Sequence, residues 1–420
     1  MVTLSPTRAK HVIVVGAGIV GVNCALALQA RNFKVTIVDE RPPGTATSFG
    51  NAGCFAISAV APVSMPGLVW SVPKMLMDPL GPLSIRWKNL PTLAPWLWHF
   101  WRAGTAKRVE AIAHELSTLL ATASQDYEPV LNAAGLTHLI RRNGALYVYE
   151  TEKGFADAAF EWDLKFRNGV VAEHVDGAAI RALEPALARG FSNGYFVPGY
   201  SHTVDPGQLA SGLADHFQRV GGEIRRARVE GFVFADSSLR ALRLDDGTEL
   251  GFDQVVIAAG AWSKSLCKQL GHNVPLDTER GYNTTLPEPG VELSRPVCIA
   301  ERSFFMTPMA MGLRIGGAVE LAGLDAEPNF ARAKALLANG AKALPGLNTG
   351  GGREWMGFRP SMPDSKPVIG RSPHHPNAFF AFGHGHLGLT QGATTGRLVG
   401  ELAAGEPTTI DLAPFRIDRF

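Results

Sequence analysis

Residues 11–40 read HVIVVGAGIVGVNCALALQARNFKVTIVDE. An apolar, β-branched run meets a glycine-rich turn. A proline-free stretch follows, then a second apolar run that ends in an acid, Asp39. The pattern predicts strand, turn, helix and strand. Gly16, Gly18 and Gly21 fall in the G-x-G-x-x-G spacing. Gly16 permits the tight turn, Gly18 lets the backbone approach a pyrophosphate, and Gly21 lets the helix sit close to the strand. The helix N-terminus, residues 16–21 with Ile19 and Val20, offers N–H groups and a positive dipole end to phosphates. Asp39 can accept hydrogen bonds from a ribose. The unit marks a dinucleotide site without saying which dinucleotide. Residues 12–30 are nearly all apolar and follow Arg8, Lys10 and His11, as in a signal peptide or membrane anchor. The spaced glycines, Asn23 and the immediate second strand argue against that reading.

The rest of the composition is that of a large globular enzyme. The chain has 420 residues, 46% hydrophobic and 19% charged, with a formal net charge of +2. That is long enough for two or three domains. The near-neutral charge and the lack of a long basic run give no footprint for nucleic acid. The four cysteines, Cys24, Cys54, Cys267 and Cys298, are scattered without a C-x-x-C. This fits reduced thiols in the cytoplasm and disfavours a zinc site or a disulfide frame.

Further along, 106–133 reads as one long helix, and Asp205-Pro206 starts another. Asp245-Asp246-Gly247 is a hairpin turn. QVVIAAG, at 254–260, is a buried strand ending at glycine. Strands are expected at 282–286, 304–307 and 313–319, a helix at 329–344, and a strand at 379–382. Nucleotide-domain pieces therefore recur at 1–60, 200–275 and 345–420. A substrate domain formed by 105–199 and 276–344 is inserted between them. Residues 61–104 stand apart, with Trp70, Trp87, Trp96, Trp98 and Trp101 and many prolines, which predict short helices broken by turns.

Gly383, Gly385 and Gly388 repeat the G-x-G-x-x-G spacing after a strand and before a helix. No second strand ending in acid follows, so this is no second dinucleotide site. A helix N-terminus would instead suit the anionic edge of a reduced flavin ring.

Five segments line up in order: VVGAGIVG with VTIVD, TSFGNAG, VVIAAGAWS, FRPSMPDSKPVIG and GHGHLGLT. Together they resemble the FAD-dependent amine oxidoreductases of the D-amino-acid oxidase, glycine oxidase and sarcosine oxidase superfamily, and most of all the bacterial D-amino-acid dehydrogenase branch. The resemblance runs from Lys10 to Phe420. It implies an α/β plus α+β fold: a Rossmann-like FAD-binding domain with an inserted mixed-sheet substrate domain.

It also implies roles by position. Gly16, Gly18, Ile19, Val20 and Gly21 form the pyrophosphate loop. Asp39, Glu40 and Arg41 form the ribose site. Ser48, Asn51, Ala52 and Gly53 pass along the flavin ring. Val229 meets adenine through its backbone. Ala258, Gly260 and Trp262 make the second pyrophosphate-side turn. Arg359 and the stretch Gly385, His386, Leu387, Gly388, Leu389 and Thr390 lie beside the isoalloxazine. FAD is expected to bind noncovalently, with Cys54 near the ring as a small buried thiol.

The implied reaction is oxidation of an amino acid, most of all a D-amino acid, by hydride transfer from Cα to flavin. The imine then hydrolyses to a keto acid and ammonia. No catalytic side chain is required, because the flavin carries the chemistry. Secondary amino acids such as D-proline, D-hydroxyproline and sarcosine fit as alternatives, as does the flavin-bearing subunit of a heteromeric amine dehydrogenase. Glycine oxidase-like relatives place an arginine after a strand proline, where this chain has Met309 after Pro308. The substrate carboxylate then falls to Arg359, with Arg280 and Tyr282 of the RGYN segment next and His386 as a polar contact. For Arg359 the competing role is an internal ion pair with Asp364. The tryptophan-rich segment, beside Lys88, His99 and Arg102, suggests delivery of electrons to a quinone or other carrier. The chain would then be cytoplasmic, with a peripheral contact on the inner membrane.

Overall fold

The computed structural model describes residues 9–67, 80–81, 83–235 and 238–420. The opening motif forms as its pattern dictates: strand His11–Val15, helix Ile19–Gln29 and strand Lys34–Asp39. The two strands pair in parallel and are buried almost throughout, because helices cover both faces of such a sheet. They sit in a six-stranded sheet with Glu223–Arg226, Gln254–Ile257, Ala378–Phe382 and Val368–Arg371. All neighbours are parallel except the last pair.

The final strand–helix unit lies in this same sheet. Ala378–Phe382 runs parallel to His11–Val15, with Gln254–Ile257 between them. The carboxyl ends of all three strands therefore open on one edge, where ligands of open α/β sheets bind. The helix Gly388–Ala404 packs on Ile19–Gln29 at close quarters: a Cβ at Gly396 would lie 2.5 Å from the Asn23 carbonyl oxygen.

A nine-stranded sheet faces this edge. It runs Arg353–Ser361, Asp277–Leu286, Gly312–Leu321, Phe304–Met309, Val297–Ile299, Ala145–Tyr149, Asn193–Val197 and Glu173–Asp176, with Leu83–Ile85 added beside Gly312–Leu321. Helix Ala331–Ala343 covers its far face, burying Ala333 and Leu336 against Tyr282, Met306 and Ile315. The near face is left open toward the strand ends.

Several expectations change in detail. The stretch 106–133 is two helices, Ala106–Leu120 and Ala123–Ala134, and their Leu119, Tyr127 and Leu131 belong to the core of the nucleotide sheet rather than to the large sheet. Strand Arg353–Ser361, expected in the nucleotide part, is the edge of the large sheet. Residues Leu90–Ala103 form one helix despite Pro95, with Pro91 in its first turn, where its missing N–H costs nothing. Trp70 lies outside the described residues. Among the described residues, no helix is long and apolar enough to cross a membrane.

Candidate functional site

A cavity of about 870 Å³ lies between the strand ends of the six-stranded sheet and the open face of the large one. Gly16, Gly18, Ile19, Val20, Asp39, Glu40 and Arg41 line one end. The Asp39 carboxylate holds this end together. It accepts from the Ala17 N–H at 2.7 Å and the Arg41 N–H at 2.8 Å. Each oxygen keeps a lone pair for a further donor. Val229, Ala258, Gly260 and Trp262 close the same end, with the Arg41 guanidinium 5.2 Å from the Trp262 ring centroid. At the start of the helix the Ile19 N–H is already taken by the Ser48 hydroxyl at 3.1 Å.

Toward the middle, Ser48, Asn51 and Ala52 line the wall, as do Gly385, His386, Gly388 and Leu389 from the second glycine turn. The two glycine motifs, more than 350 residues apart in the chain, thus reach one cavity.

Five expected site residues do not reach the cavity wall. Gly21 is packed against the Gly16 carbonyl, where a Cβ would lie 2.0 Å away. Gly53 is a turn residue with φ +76° whose carbonyl accepts from the Thr203 N–H. Leu387 is a core residue. Thr390 is fully buried, and its hydroxyl accepts from the Ala56 N–H at 2.9 Å. Arg280 is completely buried, donates to the Gly323 carbonyl at 2.8 Å and is turned away from the cavity. Strand alternation explains the last case. Glu279, Gly281 and Asn283 line the cavity, while Arg280 between them does not. Tyr282 borders the cavity, but its ring packs on Phe330 and its hydroxyl binds Glu320 and the Asn329 N–H in the core beyond the sheet. Met309 is a buried residue beside Gly53.

Arg359 does face the cavity, from strand Arg353–Ser361. Its guanidinium crosses the neighbouring strand and donates to the carbonyls of Ala318 at 2.9 Å and Gly317 at 3.5 Å. Ala318 sits in a bulge with φ +58°, which turns these carbonyls toward the arginine. Gly281 makes the crossing feasible: a Cβ there would lie 2.3 Å from Arg359 Nη2. Asp364 is not its partner, because that carboxylate pairs with Arg419 at 2.8 Å and with Lys366 at 3.7 Å. Among the described residues, Arg359 makes no ion pair. Its guanidinium is therefore an available cation in the wall. Burial lowers its pKa, and the carboxylate of nearby Glu279 opposes that shift. Replacing Gly281 with alanine should displace the guanidinium. We expect KM for the substrate to rise about tenfold while flavin content is unchanged, measured by steady-state kinetics beside the flavin-to-protein absorbance ratio.

His386 lies beside Arg359, and burial together with that cation pushes its pKa down to about 4. His384, which shares a hydrogen bond with the Thr395 hydroxyl, is pushed down to about 3 by burial. Both rings are neutral at pH 7. His202 is likewise pushed down to about 4 by burial and by Arg141. These depressed values mean that the unfolded chain binds protons that the folded chain refuses. Stability should be full above pH ~6.5 and should fall as the pH drops from there toward 4. A melting temperature that stays constant from pH 7 to 5 would contradict this.

Arg314 was not foreseen, although a lone cation in the apolar strand MGLRIGG was the available signal. Its guanidinium donates to the Asn51 carbonyl at 2.6 Å and to the Thr285 hydroxyl at 3.0 Å, clamping the 48–53 segment to the large sheet. Burial lowers its pKa to about 10. The Cys54 thiol is pushed up to about 12 by burial, so it is not a thiolate nucleophile at neutral pH.

A turn closed to a Cβ at Gly16 and Gly21, an acid at the end of the second strand and two glycine turns along one cavity make a fit for a long dinucleotide. A family model described as FAD dependent oxidoreductase matches residues 11–402. The chain belongs to this family. It is 37% identical over 420 residues to a D-amino-acid oxidase of Bradyrhizobium diazoefficiens, covering 98% of this chain and 99% of the relative. It is 30% identical over 419 residues to a D-amino acid dehydrogenase of Paramagnetospirillum magneticum, covering 97% and 98%. The fold matches glycine oxidase from Geobacillus kaustophilus with a TM-score of 0.75 at 20% identity, over 99% of this chain and 100% of that one. It also matches L-proline dehydrogenase from P. horikoshii with a TM-score of 0.74 at 17% identity, over 98% of each. As a member of the family, the protein is an oxidoreductase that uses FAD, with the mixed α/β architecture that the five segments implied.

Proposed function

We propose that this flavoenzyme oxidises the Cα–N bond of amino acids, D-amino acids foremost, to the imine that water converts to a keto acid and ammonia. The observation that carries the reading is Arg359, a cavity-facing guanidinium without an ion-pair partner among the described residues, held in place by two backbone carbonyls. A carboxylate is the natural counterpart of such a fork. The curated relatives act, by their names, on D-amino acids.

In this reading Asp39, Glu40, Arg41 and Val229 hold the adenosine end of FAD. Residues 16–20, with Ala258, Gly260 and Trp262, face the pyrophosphate. Ser48, Asn51, Ala52, Gly385, Gly388 and Leu389 flank the ring, and binding is noncovalent. When bound, FAD supplies the hydride acceptor. Arg359 fixes the substrate carboxylate and so aims Cα, and neutral His386 offers a polar contact without adding positive charge beside it. The test is anaerobic bleaching of the flavin with D-, L- and N-alkyl amino acids, with keto acid measured in equal amounts with ammonia for the primary amino acids and with the alkylamine for the N-alkyl ones. Failure of every D-amino acid to bleach it would overturn the assignment.

The acceptor in this reading is a carrier at an anionic lipid surface, such as a quinone. Helix Leu90–Ala103 divides its tryptophans. Trp96 is buried and donates to the Ser361 carbonyl at 3.1 Å, whereas Trp98 and Trp101 are 56% and 53% exposed. These two rings lie 5.2 Å apart, and Lys88, Arg102, Lys107 and Arg108 of the flanking sequence are exposed. Exposed tryptophans with basic neighbours suit an interface with anionic lipid. The protein should co-sediment with vesicles containing phosphatidylglycerol, and replacing Trp98 and Trp101 with alanine should abolish this while dye-linked activity persists. Peroxide formed in step with turnover in air would refute the carrier reading.

A further inference from the structure

The cavity continues past the arginine along the floor of the large sheet. The register sets Phe305 beside Gly316, Cys298 beside Phe305, and Tyr147 beside Cys298, and all four residues line the cavity. The strand whose carbonyls hold Arg359 is the one that carries Gly316. From it to the strand of Tyr147 is three strand spacings, or about 14 Å. This part of the wall is largely aromatic and apolar, with the rings of Phe305, Tyr147 and buried Tyr200 around Cys298. Lys165 closes the far end. It is 5% exposed, its ammonium is neutralised by Glu161 at 2.6 Å, and it lies 5.2 Å from the Tyr147 ring centroid.

We infer that this chamber receives the substrate side chain, and that the enzyme selects amino acids with long uncharged or aromatic side chains over those with a methyl or a cationic one. The inference rests on Arg359 holding the carboxylate, as proposed above. With the carboxylate there, a methyl group leaves the floor at Cys298 and Tyr147 uncovered. A benzyl or thioether chain extends over Phe305 toward Cys298 and displaces water from apolar wall, which raises transition-state binding with each methylene buried. A side-chain ammonium would lose its water against the apolar floor, and Glu161, the carboxylate at that end, is already paired with Lys165.

The test is kcat/KM of the holoenzyme with a dye acceptor for D-phenylalanine, D-methionine, D-alanine and D-lysine. We expect D-phenylalanine and D-methionine to exceed D-alanine and D-lysine by about tenfold or more. Cys298→Met, which fills the floor, should shift the ratio of D-phenylalanine to D-alanine at least tenfold toward D-alanine. D-alanine or D-lysine equal to or better than D-phenylalanine would overturn the chamber and leave the amino-acid reading intact. So would a Cys298→Met variant that lowers both substrates alike. If no amino acid bleaches the flavin, the parent reading falls and takes the chamber with it. Should Cys298→Met fail to fold, the wild-type ratios decide.

Discussion

Arg359→Lys raises KM for the amino-acid substrate by about 10²–10³-fold, with flavin content unchanged. Lysine keeps the charge but loses the planar fork, so it cannot hold the Gly317 and Ala318 carbonyls while presenting two parallel donors to a carboxylate. Disrupting a desolvated charge-assisted contact costs about 3–4 kcal/mol, and each ~1.4 kcal/mol is tenfold. A simple carboxylate inhibitor that perturbs the flavin spectrum should weaken by a similar factor, because it uses the same anchor. A variant with wild-type KM and wild-type inhibitor affinity would remove Arg359 from the site.

Gly16→Ala should yield protein without flavin. Gly16 has φ +114°, and a Cβ there would lie 2.4 Å from the Ala258 carbonyl oxygen, which is backbone and cannot swing aside. The strain falls where strands His11–Val15 and Gln254–Ile257 open into the cavity. We expect the purified variant to be colourless and to melt well below the wild type, since FAD stabilises the fold that binds it. Yellow protein with full flavin occupancy would show that the turn tolerates a side chain and that the cradle is misplaced. The contrast with Arg359→Lys is informative, since one variant loses the cofactor and the other keeps it but loses substrate.

Much of the cofactor end was legible because it is local. The turn at Gly16, the helix that follows it and the acid at Asp39 lie within one 30-residue unit, and Gly16 and Gly21 each answer a steric demand within that unit or just beside it. The hairpin at Asp245-Asp246-Gly247 was legible for the same reason: Gly247 has φ +78° and the Asp246 carboxylate caps the Thr248 N–H. The break between Ala106–Leu120 and Ala123–Ala134 was not, because no glycine or proline marks residues 121–122.

The substrate end was read only in part. RGYN offered Arg280 and Tyr282 by residue type, but strand alternation carries Glu279, Gly281 and Asn283 to the cavity, while Arg280 does not reach it and Tyr282 borders it with its hydroxyl bound in the core. One residue of register inverts the face a side chain takes, and the bulge at Ala318 on the partner strand turns the carbonyls that Arg359 uses. Arg314 and Tyr147 were missed because their importance lies in what they stand opposite, the Asn51 carbonyl and Cys298, far away in sequence.

By itself, then, the sequence determined that this chain opens with a strand–glycine turn–helix–strand unit suited to a dinucleotide, that the second glycine turn near its end lacks the strand and acid that would complete such a unit, and that the ordered motifs belong to a flavin-dependent architecture. Those features are written in short-range spacing, where a missing Cβ or a fixed φ has a local meaning. The tertiary structure alone decided which arginine is available. Arg280 and Arg359 are adjacent candidates on neighbouring strands, yet one is buried behind the sheet and the other lies over Gly281 in the cavity. That choice depends on register, on the bulge at Ala318 and on which carboxylates pair elsewhere, and these are set only when distant strands meet.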